Sequence, residues 1–284
     1  MASRELTTIL DDLAFGEGPR WHDGRLWFSD FYRHEVVAVT PDGEREHQVE
    51  VPNQPSGLGW TPDGDLLVVS MLDRRLLRWD GETLAEHADL SSLVTAPCND
   101  MVVDGDGRAY VGNFGFEYEK GETFVETLLV IVEPDGTVAA GPDDLAFPNG
   151  TVITPDGATL VVGESWGRRL TAFERDPATG ALGERRVWAD LAPGVPDGIC
   201  LDADGAIWVG DPRNGEVFRV LEGGEVTDRI SCGDGRHAFA CMLGGDDGTT
   251  LFVVTNVGSG SARAGEREGR IEKVEVDVPA AGWP

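Results

Sequence analysis

The sequence predicts an all-β fold made of six copies of one four-stranded unit, and three observations support this prediction. Short runs rich in β-branched and aromatic residues, such as DLLVVS and TLFVVT, are separated by turns that contain glycine or proline. Long apolar stripes with a helical period are missing from the sequence. An Asp-Gly dipeptide, which is a strong hairpin signal, recurs between apolar runs at intervals of 40 to 50 residues.

The Asp-Gly turns define the repeats and their number. Each interval has the length of one four-stranded propeller blade, and six such units fill the 284 residues. We therefore expect a six-bladed β-propeller that forms one domain over residues 1–284. The N-terminal segment Glu5–Leu10 is a candidate to close the ring beside Ile271–Val278. The six turns are Asp23-Gly24, Asp63-Gly64, Asp106-Gly107, Asp156-Gly157, Asp204-Gly205 and Asp247-Gly248.

Composition excludes several classes of partner. The chain has 23 basic and 51 acidic residues, a net charge of −28, which disfavours binding to nucleic acid or to anionic membranes. No apolar stretch approaches the 18 residues of a membrane span, and the N-terminus MASRELTTILDD lacks a signal-peptide pattern. The four cysteines form no CxxC pair, which is typical of buried, reduced thiols. We therefore expect a cytoplasmic protein, with a monomer as the default.

Polar residues recur at fixed distances from the turns. One set lies seven residues before each turn aspartate (six in the first repeat), and a second set lies seven or eight residues after it. Because residues at equal distances from a hairpin turn lie opposite each other, we expect both sets at the same open end, roughly 20 Å from the turns. The first set is Glu17, Ser56, Asn99, Asn149, Asp197 and Ala240, and the second is Asp30, Ser70, Asn113, Glu164, Asp211 and Thr255.

Four members of the first set predict a central metal site. If the strand before each turn is innermost, Glu17, Asn99, Asn149 and Asp197 converge on the propeller axis. Two carboxylates and two amide oxygens are hard ligands, which favour Ca²⁺, with Mg²⁺ or Mn²⁺ next. Zn²⁺ is less favoured because it prefers histidine and cysteine. Asn and Asp also cap turns, but four of them in one register favour a shared site.

The sequences around these four residues resemble the senescence-marker-protein/gluconolactonase/luciferin-regenerating-enzyme family over residues 14–280. Glu17 lies in GEGPRW, Asn99 in CNDMVVD, Asn149 in FPNGTVITPDG and Asp197 in VPDGICLD. The resemblance implies a six-bladed propeller with a central divalent metal, usually Ca²⁺, although Zn²⁺ or Mn²⁺ also supports activity. It places the metal ligands at these four positions. It also implies lactone hydrolysis, and relatives hydrolyse organophosphates at a similar site.

One position departs from the sugar-lactonase branch of that family. That branch typically has an arginine two residues before the asparagine that corresponds to Asn99, and it contacts sugar hydroxyls; here the residue is Pro97. We therefore expect a less hydroxylated or more hydrophobic lactone than gluconolactone as substrate. Candidate substrate contacts are mainly apolar, with one acid and one possible proton shuttle. They are Phe114, Phe116, Trp166, Phe239, Met242, Glu164 and His237.

The expected chemistry is metal-assisted hydrolysis of a cyclic ester. The metal would polarise the carbonyl, and Asp197 would act as the base for the attacking water. The sequence has no Gly-x-Ser-x-Gly elbow, phosphate loop or dinucleotide fingerprint. Two alternatives stay open: an organophosphate or aryl-ester hydrolase at the same metal, and a non-catalytic binding propeller in which the metal stabilises the axis.

Overall fold

The structure, a computed structural model, describes residues 4–233 and 235–284; the other residues of the predicted domain 1–284 lie outside this description. Within it the chain forms 24 strands in six sheets, which confirms the all-β, six-bladed propeller. Helical structure there is limited to the 3-10 turns Phe31–Arg33, Tyr118–Lys120 and Ser261–Arg263. The strands are β1 (Thr7–Leu13), β2 (Gly16–His22), β3 (Arg25–Asp30), β4 (Glu35–Val39), β5 (Arg45–Glu50), β6 (Pro55–Trp60), β7 (Leu66–Ser70), β8 (Arg75–Trp79), β9 (Leu84–Asp89), β10 (Cys98–Val103), β11 (Ala109–Asn113), β12 (Val130–Val132), β13 (Val138–Ala140), β14 (Pro148–Ile153), β15 (Thr159–Glu164), β16 (Arg169–Arg175), β17 (Leu182–Asp190), β18 (Ile199–Leu201), β19 (Ile207–Asp211), β20 (Glu216–Val220), β21 (Val226–Ser231), β22 (His237–Gly244), β23 (Thr250–Asn256) and β24 (Gly269–Glu275).

Each blade is a four-stranded antiparallel sheet, and the first strand of the blade lies innermost. Blades one to five use β2–β5, β6–β9, β10–β13, β14–β17 and β18–β21. Blade six has the order β1-β24-β23-β22, so its outermost strand comes from the start of the chain. Thr7 lies opposite Lys273 and Leu13 opposite Gly269. The ring is therefore closed by hydrogen bonds between its first and last strands. Among the described residues, no helix is long and apolar enough to cross a membrane.

The Asp-Gly dipeptides occupy the turns between the two innermost strands of every blade. The glycine of each turn has a positive φ, between 69° and 92°, which a residue with a Cβ adopts only with strain. The hairpin prediction therefore locates the end of the propeller at which all six inner turns lie. The polar residues of the first set lie at the other end of the same strands.

The innermost strands approach each other so closely that some positions have no room for a side chain. A Cβ on Gly150 would lie 2.5 Å from the backbone nitrogen of Ile199, and one on Gly198 would lie 2.4 Å from the Cβ of Ala240. Each of these glycines directly follows a predicted metal ligand: Gly150 follows Asn149, and Gly198 follows Asp197. Blades four, five and six are therefore in close contact at the level of the predicted site.

A β-bulge interrupts the innermost strands at the same level. Between Pro148 and Thr151, β14 advances three residues while β15 advances two, and β2, β6 and β10 show the same irregularity. Glu164 therefore lies opposite Pro148 instead of Asn149. The expectation that the two polar sets lie directly opposite each other is wrong, because the bulge offsets them by one residue and a bulge redirects side chains.

The C-terminal residues cross the turn end of the propeller. Ile153 and Trp283 exchange both backbone hydrogen bonds, at 2.8 and 3.0 Å. Ala281 donates its N–H to the carbonyl of Leu201 at 3.1 Å. These contacts join the tail to the inner strands of blades four and five.

We expect Gly150→Ala to destabilise the fold by about 1–3 kcal/mol or more, because the new methyl group meets backbone that cannot move aside cheaply. Chemical or thermal denaturation measures the change. Gly265→Ala is the matched control, since a Cβ there has no heavy atom within 4 Å. Equal stability of the two variants would show that the inner strands can separate without cost.

Candidate active site

The four predicted metal ligands line one cavity of about 330 Å³ at the end of the propeller opposite the Asp-Gly turns. Glu17 lies on β2, Asn99 on β10, Asn149 on β14, and Asp197 immediately before β18. Glu17, Asn99 and Asn149 are buried, while Asp197 is partly exposed to the cavity. The structure thus brings together side chains from four blades that are as much as 180 residues apart in the sequence.

Hydrogen bonds fix the amide orientation of the two asparagines. The Nδ2 of Asn149 donates to Asp197 Oδ1 at 2.5 Å and to Ser165 Oγ at 3.2 Å, and Ser165 Oγ donates to the carbonyl of Pro196 at 2.7 Å. The Nδ2 of Asn99 donates to the carbonyl of Pro148 at 3.4 Å. Because both nitrogens are directed to protein acceptors, the two Oδ1 atoms are left as the groups that can accept from a ligand or bind a cation.

Glu17 and Asp197, the two carboxylates among the predicted metal ligands, repel each other and lack a cationic partner in the cavity lining. Burial raises the pKa of Glu17 well above its ordinary value, and the charges of Asp197 and Asp100 raise it further. Burial, with the charges of Asp100 and Asp211, raises the pKa of Asp197 to about 8, although the hydrogen bond from Asn149 opposes this shift. Among the described residues, the lining contains no lysine or arginine. A bound divalent cation would compensate this charge.

The donor set fits a hard divalent cation. Two carboxylates and two amide oxygens are the ligands that Ca²⁺ and Mg²⁺ prefer. Within the described part of the chain, no group of three or more histidine, cysteine, aspartate or glutamate side chains is arranged to hold a metal. The site therefore depends on its asparagines, and the four cysteines are buried with free thiols and play no part in it.

Asp100, which follows Asn99, is held by a buried arginine beneath the cavity. Arg20 donates from Nη2 to Asp100 Oδ1 at 2.6 Å and from Nε to the carbonyl of Leu58 at 3.1 Å. Arg20 is 3% exposed and connects blades one, two and three. Asp100 is thus an ion-pair partner below the site and not part of its lining.

The structure places Glu164 outside the cavity, which corrects the expectation that it contacts substrate. Its carboxylate is fully buried and accepts hydrogen bonds from the N–H of Ala146 and the Nε of Arg169, both at 2.8 Å, and from Thr171. Burial alone would raise its pKa, but these donors leave the pKa of Glu164 below its ordinary value. The β14 bulge explains the difference, because it turns Asn149 toward the axis and leaves Glu164 opposite Pro148.

Asp30 and Asp211, which belong to the same predicted polar set as Glu164, also accept hydrogen bonds from backbone N–H groups. Asp30 accepts the N–H groups of Ala14 at 3.0 Å and Phe15 at 2.9 Å. Asp211 accepts the N–H of Val195 at 3.2 Å. These acids hold the segments that lead directly into Glu17 and Asp197, so they support the cavity from behind.

The other predicted substrate contacts divide into two groups. Phe114, Trp166, Phe239 and His237 line the cavity, and their contact with substrate stays a prediction. Met242 does not, because it is 3% exposed and packs in the core that blade six shares with its neighbours. Phe116 is 5% exposed and packs behind Phe147 and Trp166, with ring centroids 6.0 and 6.3 Å away. Both expectations are corrected: Met242 belongs to the core, and Phe116 supports the cavity wall.

Several lining residues were not predicted. Phe15, Phe147 and Val195 each lie two residues before a predicted ligand, in the segments that lead into the inner strands. This constant offset from the ligands would have found them. Others come from loops that the repeat does not describe: Phe31, Tyr32, Tyr118, Glu119 and Gly258–Gly260.

Three of these loops meet over the mouth of the cavity. Glu119, in the 3-10 turn after β11, accepts hydrogen bonds from Tyr32 Oη at 3.1 Å and from the N–H of Ser261 at 2.9 Å. Burial and the Glu119 charge raise the pKa of Tyr32, so its hydroxyl remains a donor. Loops from blades one, three and six are thereby joined above the site.

Fold and cavity together define a class: six-bladed propellers with an oxygen-rich, acidic site at one end of the axis. A luciferin-regenerating enzyme superposes with a TM-score of 0.85 at 19% identity, covering 99% of this chain and 98% of that one. A regucalcin from Agrobacterium tumefaciens, described as a calcium-binding protein, gives 0.83 at 24% identity, covering 100% and 99%. A gluconolactonase from Xanthomonas campestris gives 0.78 at 23%, covering 97% and 90%. At these identities the likeness shows the fold.

The chain belongs to the SMP-30/gluconolactonase/LRE-like family, since residues 15–257 match the region described by that name. The family resemblance inferred from the four motifs is thus confirmed. The pentonolactonase XacC of Haloferax volcanii is 27% identical over 98% of this chain and 96% of its own. A regucalcin from Xenopus laevis is 26% identical over 90% of this chain and 88% of its own.

We expect removal of divalent metal to destabilise the protein more at pH 8 than at pH 5. The raised pKa values of Glu17 and Asp197 mean that the metal-free folded state retains protons that the unfolded chain has released above about pH 4. Their contribution therefore lowers the stability as the pH rises toward 8. A cation must displace these protons, so it binds more strongly at high pH.

Thermal denaturation of chelator-treated protein, with and without added Ca²⁺, tests this expectation. The rise in melting temperature caused by Ca²⁺ should be larger at pH 8 than at pH 5, and much smaller in Asp197→Asn at both. Asp63→Asn, in an exposed turn, is the control. A Ca²⁺-induced shift that is the same at both pH values and unchanged in Asp197→Asn would place the bound cation elsewhere.

Proposed function

We propose that the protein is a divalent-metal-dependent hydrolase that opens lactone rings. The observation that carries the proposal is the convergence of Glu17, Asn99, Asn149 and Asp197 in one cavity with apolar walls. The name of the pentonolactonase relative, which aligns over nearly the whole chain, supports a lactone as substrate. The monomeric state and the cytoplasmic location expected from the sequence stay predictions.

Glu17, Asn99, Asn149 and Asp197 are the residues that would hold the metal. All four offer oxygen, which favours Ca²⁺ over Mg²⁺ or Mn²⁺, and each of these over Zn²⁺. The description of the Agrobacterium regucalcin as calcium-binding supports the same choice. When bound, the cation would supply Lewis-acid polarisation of the ester carbonyl.

Asp197 is the proposed base. Its carboxylate takes a proton from a water molecule, whose oxygen attacks the carbonyl carbon of the lactone. The ring C–O bond then breaks, and the proton held by Asp197 passes to the leaving ring oxygen, which gives the open hydroxy acid. Asn149 positions Asp197 through the 2.5 Å hydrogen bond to Oδ1, and Ser165 positions Asn149.

The cavity walls favour a substrate with fewer hydroxyl groups than gluconolactone. Pro97 cannot donate to a sugar hydroxyl; its carbonyl accepts the N–H of Phe114 at 3.0 Å. That ladder bond places the Phe114 ring in the cavity lining, next to Asn99. With no arginine or lysine among the described lining residues, a neutral and less polar lactone fits better than a polyhydroxylated or anionic one.

His237 is the proposed polar contact at the blade-six side of the cavity. Its Nδ1 lies 2.5 Å from the carbonyl of Pro212, which requires that Nδ1 carry the hydrogen and donate it. In the neutral ring, Nε2 is then the atom that can accept a hydrogen bond from a substrate hydroxyl or from water. His237 therefore orients the substrate at a wall where blade six has Ala240 in place of a polar ligand.

The test is proton release from a panel of lactones in weak buffer, with chelator-treated protein and with Ca²⁺, Mn²⁺, Mg²⁺ or Zn²⁺ restored. We expect metal-dependent turnover of at least one lactone, and a kcat roughly 10²–10⁴-fold lower in Asp197→Asn. Asp63→Asn should match the wild type. Near-normal turnover by Asp197→Asn would exclude Asp197 as the base.

Two further outcomes discriminate between the functions that the sequence left open. Metal-dependent hydrolysis of aryl esters or organophosphates, without lactone turnover, would replace the proposed substrate class. A bound metal with no turnover of any substrate would indicate a binding propeller.

A further inference from the structure

One wall of the cavity continues outward as a band of aromatic rings. Phe114 and Phe147 are stacked with centroids 4.5 Å apart, and Phe147 lies 6.1 Å from Trp166. Trp166 in turn lies 6.1 Å from Tyr118 and 6.4 Å from Phe124. We call this set the aromatic band; its members are Phe114, Phe116, Tyr118, Phe124, Phe147 and Trp166.

The outer end of the aromatic band is open to solvent. Trp166 is 46% exposed, Tyr118 47% and Phe124 39%, and the adjacent Val125 is 55% exposed. Such a contiguous apolar patch is uncommon on a soluble protein and usually marks a place where an apolar ligand or partner binds. At its inner end the band reaches the cavity that contains Asn99 and Asn149, so the patch and the cavity form one surface.

The aromatic band is held in place before any ligand binds. Phe116 is buried and contacts Tyr118, Phe124, Phe147 and Trp166, so it joins the loop after β11 to the wall from blade four. The Glu119 hydrogen bonds to blades one and six fix the same loop from the other side. The rings therefore do not collapse into the cavity, and their apolar surface stays available.

We propose that the lactone substrate carries an apolar substituent, an alkyl chain of several carbons or an aryl ring, which lies along the aromatic band and reaches the rim at Trp166. This inference rests on the proposed lactonase function and specifies its substrate class. The ester group would lie at the polar floor beside Asp197 while the substituent extends over Phe114 and Phe147. A cavity of about 330 Å³ is larger than an unsubstituted five-membered lactone requires.

Because the aromatic band is continuous with the cavity, we assign it to the substrate and not to a protein partner. The band is the wall of the cavity itself, so a substituent on the bound ring is already in contact with Phe114 or Phe147. A partner protein would cover the mouth and block access to the site. Glu119 in the lining and the net charge of −28 also disfavour an anionic substituent, which leaves an uncharged apolar group as the best fit.

The experiment measures kcat/KM for γ-lactones with no side chain and with linear alkyl chains of two, four and six carbons, using metal-loaded enzyme. We expect kcat/KM to rise with chain length, by up to about fourfold for each methylene group that is buried. Trp166→Ala and Phe124→Ala should flatten this rise, so that the ratio of kcat/KM between the six-carbon and the unsubstituted lactone falls below the wild-type ratio. Val187→Ala, an exposed position on β17, is the control and should keep the full rise.

Binding of 2-alkyl tetrahydrofurans, which lack the ester, gives a readout that does not depend on turnover. Their affinity, measured by calorimetry, should rise with chain length in the wild type and not in Trp166→Ala.

The possible failures are distinct. Turnover of lactones with no dependence on chain length would overturn the inference and leave the lactonase function standing. A chain-length dependence that persists in both Trp166→Ala and Phe124→Ala would place the substituent elsewhere and overturn the role of the aromatic band. A Trp166-dependent dimer in sedimentation, without chain-length dependence, would assign the patch to a second copy of the chain. No lactone turnover at all, with chain-dependent tetrahydrofuran binding retained, would overturn the lactonase function while the band stands as an apolar subsite.

Discussion

The close approach of the innermost strands around the axis is the constraint on which both the core and the site depend. Gly150 and Gly198 permit it, because a Cβ at either position would meet the neighbouring blade at 2.5 Å or less. In β10 and β14 the bulge at the same level contains Asn99 and Asn149, and in β2 it begins directly after Glu17. Four blades can then direct oxygen atoms to a single point, although none of them has more than one such residue there.

Burying several acids around one cavity costs electrostatic free energy, and the protein compensates some of these acids and not others. Asp100 is compensated within the protein by Arg20, and Glu164 by Arg169 and Thr171. Glu17 and Asp197 have no such cationic partner in the described lining, and burying an uncompensated carboxylate costs several kcal/mol. Asp100 and Glu164 thus have cationic partners, whereas Glu17 and Asp197 have none in the described lining, which is the pattern expected when charge compensation comes from a ligand.

The sequence was most informative where it repeats. The Asp-Gly turns identified the blades because a hairpin turn requires a residue that accepts positive φ, and the same register placed Glu17, Asn99, Asn149 and Asp197 together in the cavity. It failed for Glu164 because one bulge residue changes the face of every later position, and a bulge is visible only in the hydrogen-bond register. It failed for Met242 because the apolar residues of β22 do not reveal by type which of them face the core.

The sequence repeat does not predict the residues at the mouth of the cavity. Tyr32, Glu119 and Gly258–Gly260 lie in loops whose lengths differ between blades, so no common register exists for them. One signal was present and unused: the longest interval between Asp-Gly turns, from Asp106 to Asp156, contains the loop that carries Tyr118 and Phe124. An interval longer than its neighbours marks the blade in which additional chain is available to cover a site.

The position of the C-terminal tail bears on how substrate and product would enter and leave the cavity. Trp283 hydrogen bonds to the inner strand of blade four at the turn end, and Arg20 lies between that end and the polar floor. Arg20 and the tail thus lie on the side of the site away from the cavity mouth, so in the proposed reaction substrate and product would both pass through that mouth. In the proposed hydrolysis a neutral ester enters and its product leaves as a carboxylate, in a protein with a net charge of −28. A cation bound by Glu17 and Asp197 offsets only two of these charges, so the remaining negative charge would repel the anionic product and not the neutral substrate, which favours departure of the product.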